Sequence, residues 1–217
     1  MTGLRFLPAA GTKARSLIML LHGVGGDAAT MELLAQVLRG TLINTAIVVP
    51  DAPSHFDLGP YGYQWFSVDG VTNTNRDARI QNAIPVVEGL IEQEAMRFGL
   101  THDRVGVCGF SQGAMIALAL ADRPNAPRFI ASIAGRITRV PRLRANPLPQ
   151  IFLSHGTADQ TVPYACLNEA ATAFKHANFP LIALTMAQQG HIISPKQARA
   201  VADFFARAFC CAPEVTS

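Results

Sequence analysis

Five residues, Gly109-Phe110-Ser111-Gln112-Gly113, restrict the fold of this chain more than any other stretch. They stand between a short apolar run at residues 104–108 and a longer one at 114–121. The first run reads as a buried strand and the second as a buried helix. A strand that becomes a helix within five residues must turn a sharp corner, and Ser111 is its apex. Glycines two positions before and two after let the backbones approach where a Cβ would clash. Such a corner exposes the serine hydroxyl and sets a helix N-terminus beneath it. Gly and Ser also build ordinary turns, so the weight of the pattern comes from its strand–turn–helix setting.

The rest of the chain supplies a frame for that corner. Buried-strand runs are expected at residues 16–21, 45–49, 128–133, 150–154 and 180–186, with an edge strand at 4–7. Helical spacing is expected over 28–39 (Met31, Leu34 and Leu38 on one face, Gly40 as a stop) and over 76–98 (Ile80, Ile84, Val87 and Ile91, with Gly99 as C-cap). Further helices are expected from the elbow to Arg123-Pro124, over 164–177 and over 195–209. Pro85 either kinks its helix or marks the true start. Residues 51–74 read as a long loop carrying Tyr63, Gln64, Trp65 and Phe66. Alternating strands and helices predict an α/β chain with a mostly parallel sheet covered by helices on both faces. At 217 residues the expectation is one domain, residues 1–217, with a frayed tail from about 210 and no large lid domain.

Several classes of function lose support. Charged residues make up 15% of the chain and the net charge is +3, with no basic run interleaved with aromatics, so no nucleic-acid partner is expected. The apolar run at 16–21 is too short to span a bilayer and ends in His22-Gly23-Val24-Gly25-Gly26 rather than a cleavage site. No integral membrane association is expected. Cys108, Cys166, Cys210 and Cys211 show neither a disulfide framework nor metal-ligand spacing. Reduced thiols of a cytosolic protein account for them most simply.

A corner serine with exposed hydroxyl is the nucleophile elbow of an α/β-hydrolase, and it needs a base. In that fold the chain order is serine, acid, histidine. His155, His176 and His191 follow Ser111. His176 falls in a helix, and His155 comes too early to leave room for a preceding acid loop. His191 follows the last strand and is the expected general base and acid. Asp159, in the loop after the 150–154 strand, is the expected orienting carboxylate; taken alone it could equally cap a turn. Asp122, Glu169 and Asp203 are expected within helices and are weaker rivals. For the oxyanion, the Gln112 N–H is one expected donor, acting through backbone rather than side chain. The Val24 N–H in the glycine loop is the other. That loop lacks the residues of a phosphate cradle. Trp65 and Phe66 either wall a substrate pocket or cap the core. Residues 136–144 read as a solvated face rather than an anion site, although Arg136 follows a strand and is placed to line a pocket rim.

Four elements in order resemble the phospholipase/carboxylesterase family of α/β-hydrolases, which includes acyl-protein thioesterases and bacterial carboxylesterases. They are Leu21-His22-Gly23-Val24-Gly25-Gly26-Asp27, Gly109-Phe110-Ser111-Gln112-Gly113, Ser154-His155-Gly156-Thr157-Ala158-Asp159 with Val162-Pro163, and Gly190-His191-Ile192-Ile193-Ser194. The resemblance implies Ser111, Asp159 and His191 as a triad and the Val24 and Gln112 N–H groups as oxyanion hole. It implies no metal, no cofactor and cytoplasmic residence. Ala134-Gly135-Arg136 departs from the Ser-Gly usual in the family. The expected activity is hydrolysis of small to medium acyl esters, with a small-molecule ester or thioester as partner. Lysophospholipase or acyl-protein thioesterase activity is the alternative, and a silent binding module on the same fold is the non-enzymatic one. Apolar surface near the closing helix is expected to suit a homodimer.

Overall fold

The computed structural model describes residues 2–142 and 146–211. Its elements run β1 (Gly3–Phe6), β2 (Ser16–Leu21), α1 (Glu32–Thr41), β3 (Thr45–Pro50), β4 (Ser54–His55), β5 (Tyr63–Gln64), α2 (Arg76–Phe98), β6 (Val105–Phe110), α3 (Gln112–Leu120), β7 (Phe129–Ile133), β8 (Gln150–Gly156), α4 (Ala165–His176), β9 (Leu181–Met186) and α5 (Pro195–Cys211). Seven strands form one sheet in the order β1-β3-β2-β6-β7-β8-β9. Only β1 runs antiparallel. The α/β, mostly parallel, single-domain expectation is met.

The central strands are buried on both faces, and their residues alternate between two cores. From β2, Leu17, Met19 and Leu21 face a core closed by α2, α3 and α4. Ile18 and Leu20 face a second core closed by α1 and α5. Continuous apolar runs are therefore required, because each neighbouring residue has its own layer to fill. Gly106 in β6 shows how tight the second layer is: a Cβ there would lie 2.5 Å from the Phe205 ring.

The chain winds outward from β2 to β3 and then returns to place β6 on the other side of β2. The loops after β2 and β6 consequently diverge from adjacent strand ends, where parallel sheets open their ligand crevice. This puts the glycine loop next to Ser111.

Some expected boundaries shift, for local reasons. The first helix begins as a 3-10 turn, Ala28–Met31, capped by Asp27, and α1 continues through Gly40 to Thr41. Burial of Leu34, Ala35 and Leu38 outweighs the roughly 1 kcal/mol propensity cost of one glycine. α3 ends at Leu120 rather than at Arg123-Pro124, because the chain tightens into i−3 bonds from Ala121, Asp122 and Arg123. Pro85 lies inside α2 and does not start it. It sits on the exposed face, where water can reach the carbonyl left without its N–H partner. Gly99 does cap α2 in the left-handed conformation. Residues 51–74 are not featureless: β4 and β5 pair as a small antiparallel hairpin. β8 extends to Gly156, so His155 belongs to a strand. α5 runs through Cys211, two residues past the expected end at 209, and the rest of the expected tail lies outside the described residues, as does Arg144 of the expected solvated face.

Candidate active site

The corner between β6 and α3 has the strain its sequence implies. Ser111 sits at φ 53°, ψ −113°, a left-handed conformation that costs a non-glycine residue about 1–3 kcal/mol. Its N–H donates to the Ile133 carbonyl at 2.9 Å, which ties the corner to the end of β7. The flanking glycines are there for space. A Cβ on Gly109 would lie 2.2 Å from the Gly113 carbonyl carbon, and a Cβ on Gly113 would lie 2.1 Å from the Leu21 oxygen. Helix and strands touch backbone to backbone, which no side chain permits.

Three residues far apart in the chain meet at this corner. Ser111 Oγ lies 2.9 Å from His191 Nε2. His191 Nδ1 lies 2.7 Å from Asp159 Oδ2. With a carboxylate at Nδ1, that nitrogen carries the proton, and Nε2 is left to accept from the serine hydroxyl. The other oxygen, Asp159 Oδ1, accepts from the N–H groups of Thr161 (2.8 Å) and Val162 (2.9 Å). Asp159 thus fills both roles weighed from the sequence, capping its own turn and facing His191. Burial alone would push its carboxyl upward. Bonds from His191, Val162 and Thr161 outweigh that and hold it below the usual carboxylate range. His155, the rival base, is fully buried, with Nε2 on the Val162 carbonyl at 2.9 Å and 3.3 Å from Asp159 Oδ2. It steadies the acid loop. His176 ends α4 on the exposed surface, Asp122 is paired with Arg139, and Asp203 and Glu169 stand on α5 and α4.

The glycine loop lies against the serine: a Cβ on Gly23 would lie 3.3 Å from the Ser111 Cβ. Val24 follows, half-buried, and Gln112 opens α3. Neither backbone N–H donates to an acceptor among the described residues.

What holds this loop was not foreseen. His22 is buried and bonded at both ring nitrogens: Nδ1–H donates to the Gly23 carbonyl at 2.7 Å, and Nε2 accepts from the Ala52 N–H at 3.0 Å. Burial keeps it neutral by lowering its pKa. Trp65 Nε1–H donates to the His22 carbonyl at 2.9 Å. The Gln112 side chain spans the next gap, accepting from the Trp65 N–H and donating to the Phe66 carbonyl, both at 2.8 Å. The Gln112 side chain therefore has a use that the expected backbone role did not include. The signal was available: it is the one polar residue in Gln112–Leu120, and a buried amide demands partners. Trp65 and Phe66 are 4% and 8% exposed and belong to the core beneath the loop. The His191 loop has its own anchor. Buried Gln197 donates to Ser154 Oγ at 2.7 Å and accepts from the Gln189 side chain at 2.7 Å, while Gln189 also donates to the Ile192 carbonyl.

A parallel sheet with an acute serine corner, an acid loop after β8 and a histidine loop after β9 defines the α/β-hydrolase class. Residues 5–208 match the family model for phospholipase/carboxylesterase. The chain belongs to this family and is, by class, a carboxylic-ester hydrolase. It is 28% identical to esterase YpfH of Escherichia coli K12, over 83% of this chain and 77% of that protein. It is 30% identical to acyl-protein thioesterase 1 of Saccharomyces cerevisiae, over 75% of this chain and 78% of that protein. Among solved structures, esterase PE8 superposes with a TM-score of 0.87 at 26% identity, covering 95% of this chain and 98% of the other. No helix among the described residues is long and apolar enough to cross a membrane.

Proposed function

We propose that this protein is a serine esterase for carboxylic esters of small to medium acyl chain, working through a Ser111–His191–Asp159 triad in the cytoplasm. The observation that carries the reading is the continuous hydrogen-bond chain from Ser111 Oγ through His191 to Asp159. As His191 Nε2 accepts the serine proton, Oγ attacks the ester carbonyl. Asp159 keeps Nδ1 protonated and stabilises the imidazolium that forms. The tetrahedral oxyanion is received by the Val24 and Gln112 N–H groups, each worth about 3 kcal/mol of barrier. His191 then returns its proton to the leaving alcohol as the C–O bond breaks. Water, deprotonated by the same imidazole, attacks the acyl-enzyme and releases the acid, restoring the serine.

The short acyl preference is supported by the chain between Ser111 and Asp159, whose described residues hold only α3, β7, β8 and connections, with no inserted lid. Three free thiols, Cys108, Cys166 and Cys210, support a reducing compartment. The burial of Trp65 and Phe66 and the Trp65 bond to the His22 carbonyl support reading them as the core-side support of the proposed oxyanion loop.

The test is pre-steady-state hydrolysis of p-nitrophenyl butyrate, extended to acetate through palmitate and to thioesters. We expect a burst of nitrophenol and best turnover at short chains. The Ser111→Ala variant should lose on the order of 10⁶-fold in kcat. Undiminished turnover in that variant would sink the mechanism; a palmitoyl thioester as best substrate would replace the short-ester reading with the thioesterase one.

A further inference from the structure

A cavity of about 360 Å³ lies where Asn73, Arg76, Arg136, Pro163, Cys166 and Glu169 converge. Each of its walls continues from a segment that builds the candidate active site. Arg136 is three residues beyond Ile133, whose carbonyl receives the Ser111 N–H. The intervening Gly135 packs on the first turn of α3, where a Cβ would meet the Ala114 Cβ at 2.7 Å. Pro163 follows Val162, which is bonded to both Asp159 and His155. Asn73 and Arg76 lie just beyond Phe66, which Gln112 holds.

The electrostatics of this cavity are unfinished. Arg136 Nε is buried and has no hydrogen-bond partner. Arg76 donates to Asn73 Oδ1 at 2.6 Å, and among the described residues neither guanidinium is in an ion pair. Burial and then the like charge of Arg136 depress the Arg76 pKa, so the two cations feel each other. Burial raises the pKa of the Cys166 thiol despite its hydrogen bond with Arg136, so the thiol partners Arg136 without supplying a counter-charge. Glu169 on the exposed rim is the one carboxylate lining the cavity. The N-terminal turns of α2 and α4 also face this space, adding partial positive charge. Two neighbouring guanidinium groups without a carboxylate partner suit a planar or tetrahedral oxyanion.

We propose that the Arg76–Arg136 cavity is a specificity subsite for an anionic group carried by the ester substrate, a carboxylate or a phosphate. The proposal rests on the esterase reading and adds the substrate's charge. The preferred ester is small and ends in an oxyanion, which the arginines hold while its carbonyl lies at Ser111.

The experiment compares kcat/KM for mono-p-nitrophenyl glutarate, with its carboxylate on the acyl side, against the neutral valerate ester. A second arm compares butyryl glycerol 3-phosphate, with its phosphate on the alcohol side, against neutral monobutyrin. The wild-type enzyme is expected to favour one anionic ester by about 10- to 100-fold, and the favoured arm identifies the source of the oxyanion. Arg136→Gln should bring that ratio close to one, Arg136→Lys should retain part of it, and Arg136→Glu should turn preference toward an acyl chain ending in trimethylammonium. Arg76→Gln serves if the Arg136 variants do not fold. Equal rates on charged and neutral esters, or a ratio unmoved by both glutamine variants, would overturn the subsite and leave the esterase reading standing. Failure of every ester, together with no labelling of Ser111 by a fluorophosphonate probe, would overturn both. Thermal shift with succinate and with inorganic phosphate, wild type against Arg136→Gln, reads the subsite without turnover; no difference between them counts against it.

Discussion

The two flanks of the serine corner are built on opposite principles. On the β2 side, His22, Trp65, Phe66 and Gln112 form a closed lattice in which both ring nitrogens of His22 and both ends of the Gln112 amide have partners. On the β7 side, Arg76 and Arg136 line a cavity with no ion-pair partner among the described residues, and the buried Arg136 Nε has no acceptor. A saturated lattice cannot rearrange without stranding a buried polar group, which costs about 1–3 kcal/mol each time. That suits the oxyanion role proposed for this wall, in which backbone N–H groups must be aimed before the oxyanion exists. Two cations without a counter-charge attract an anion, which suits the selecting wall proposed above.

The contrast can be broken most forcefully at Gly113. Gly113→Ala sets a Cβ against the Leu21 and His22 carbonyls, and we expect a loss of about 3 kcal/mol or more in urea unfolding. The matching change Gly89→Ala, on an open face of α2 with nothing within 4 Å, should gain about 0.5–1 kcal/mol. Equal effects of the two would show that the packed flank is looser than drawn. Next comes Gln112→Ala, which frees the Trp65 N–H and the Phe66 carbonyl. About 2 kcal/mol of stability and about tenfold in kcat/KM should go together, because the glycine loop hangs from the same tryptophan. A drop in stability with unchanged kinetics would separate the lattice from the oxyanion wall.

The smallest effect concerns pH. The folded protein holds His22 neutral, with a pKa below its ordinary 6.5. As pH falls through that value the unfolded chain takes up a proton that folded His22 refuses, so stability declines toward acid and is level above it. The slope owed to this one residue is at most about 1.4 kcal/mol per pH unit. His22→Asn should flatten the stability curve between pH 7 and 5 relative to wild type; parallel curves would show that His22 is not held neutral.

Much of this architecture could be read from the chain. Strands filling two cores need unbroken apolar runs, and those runs are visible at Ser16–Leu21 and Thr45–Pro50. The elbow declared itself because only glycine tolerates backbone contact at residues 109 and 113. The order Ser111, Asp159, His191 was enough to bring the three together, with His155 set aside. Residues whose function depends on a distant partner stayed hidden. The Gln112 side chain looked idle, since Trp65 and Phe66 lie more than 45 positions away in sequence. Gln197 looked like an ordinary helical glutamine until it met Ser154. Trp65 and Phe66 read as pocket or core from the sequence, and only the folded chain shows them buried among core side chains.

By itself, then, the amino-acid order determined the layers, the strained corner and the three residues that meet there, because periodicity and glycine placement are local properties of the backbone. Tertiary structure alone decided which polar side chains are saturated and which are not. Hydrogen-bond satisfaction is a property of pairs, and the Arg136 Nε is left over only because nothing folded against it among the described residues supplies an acceptor.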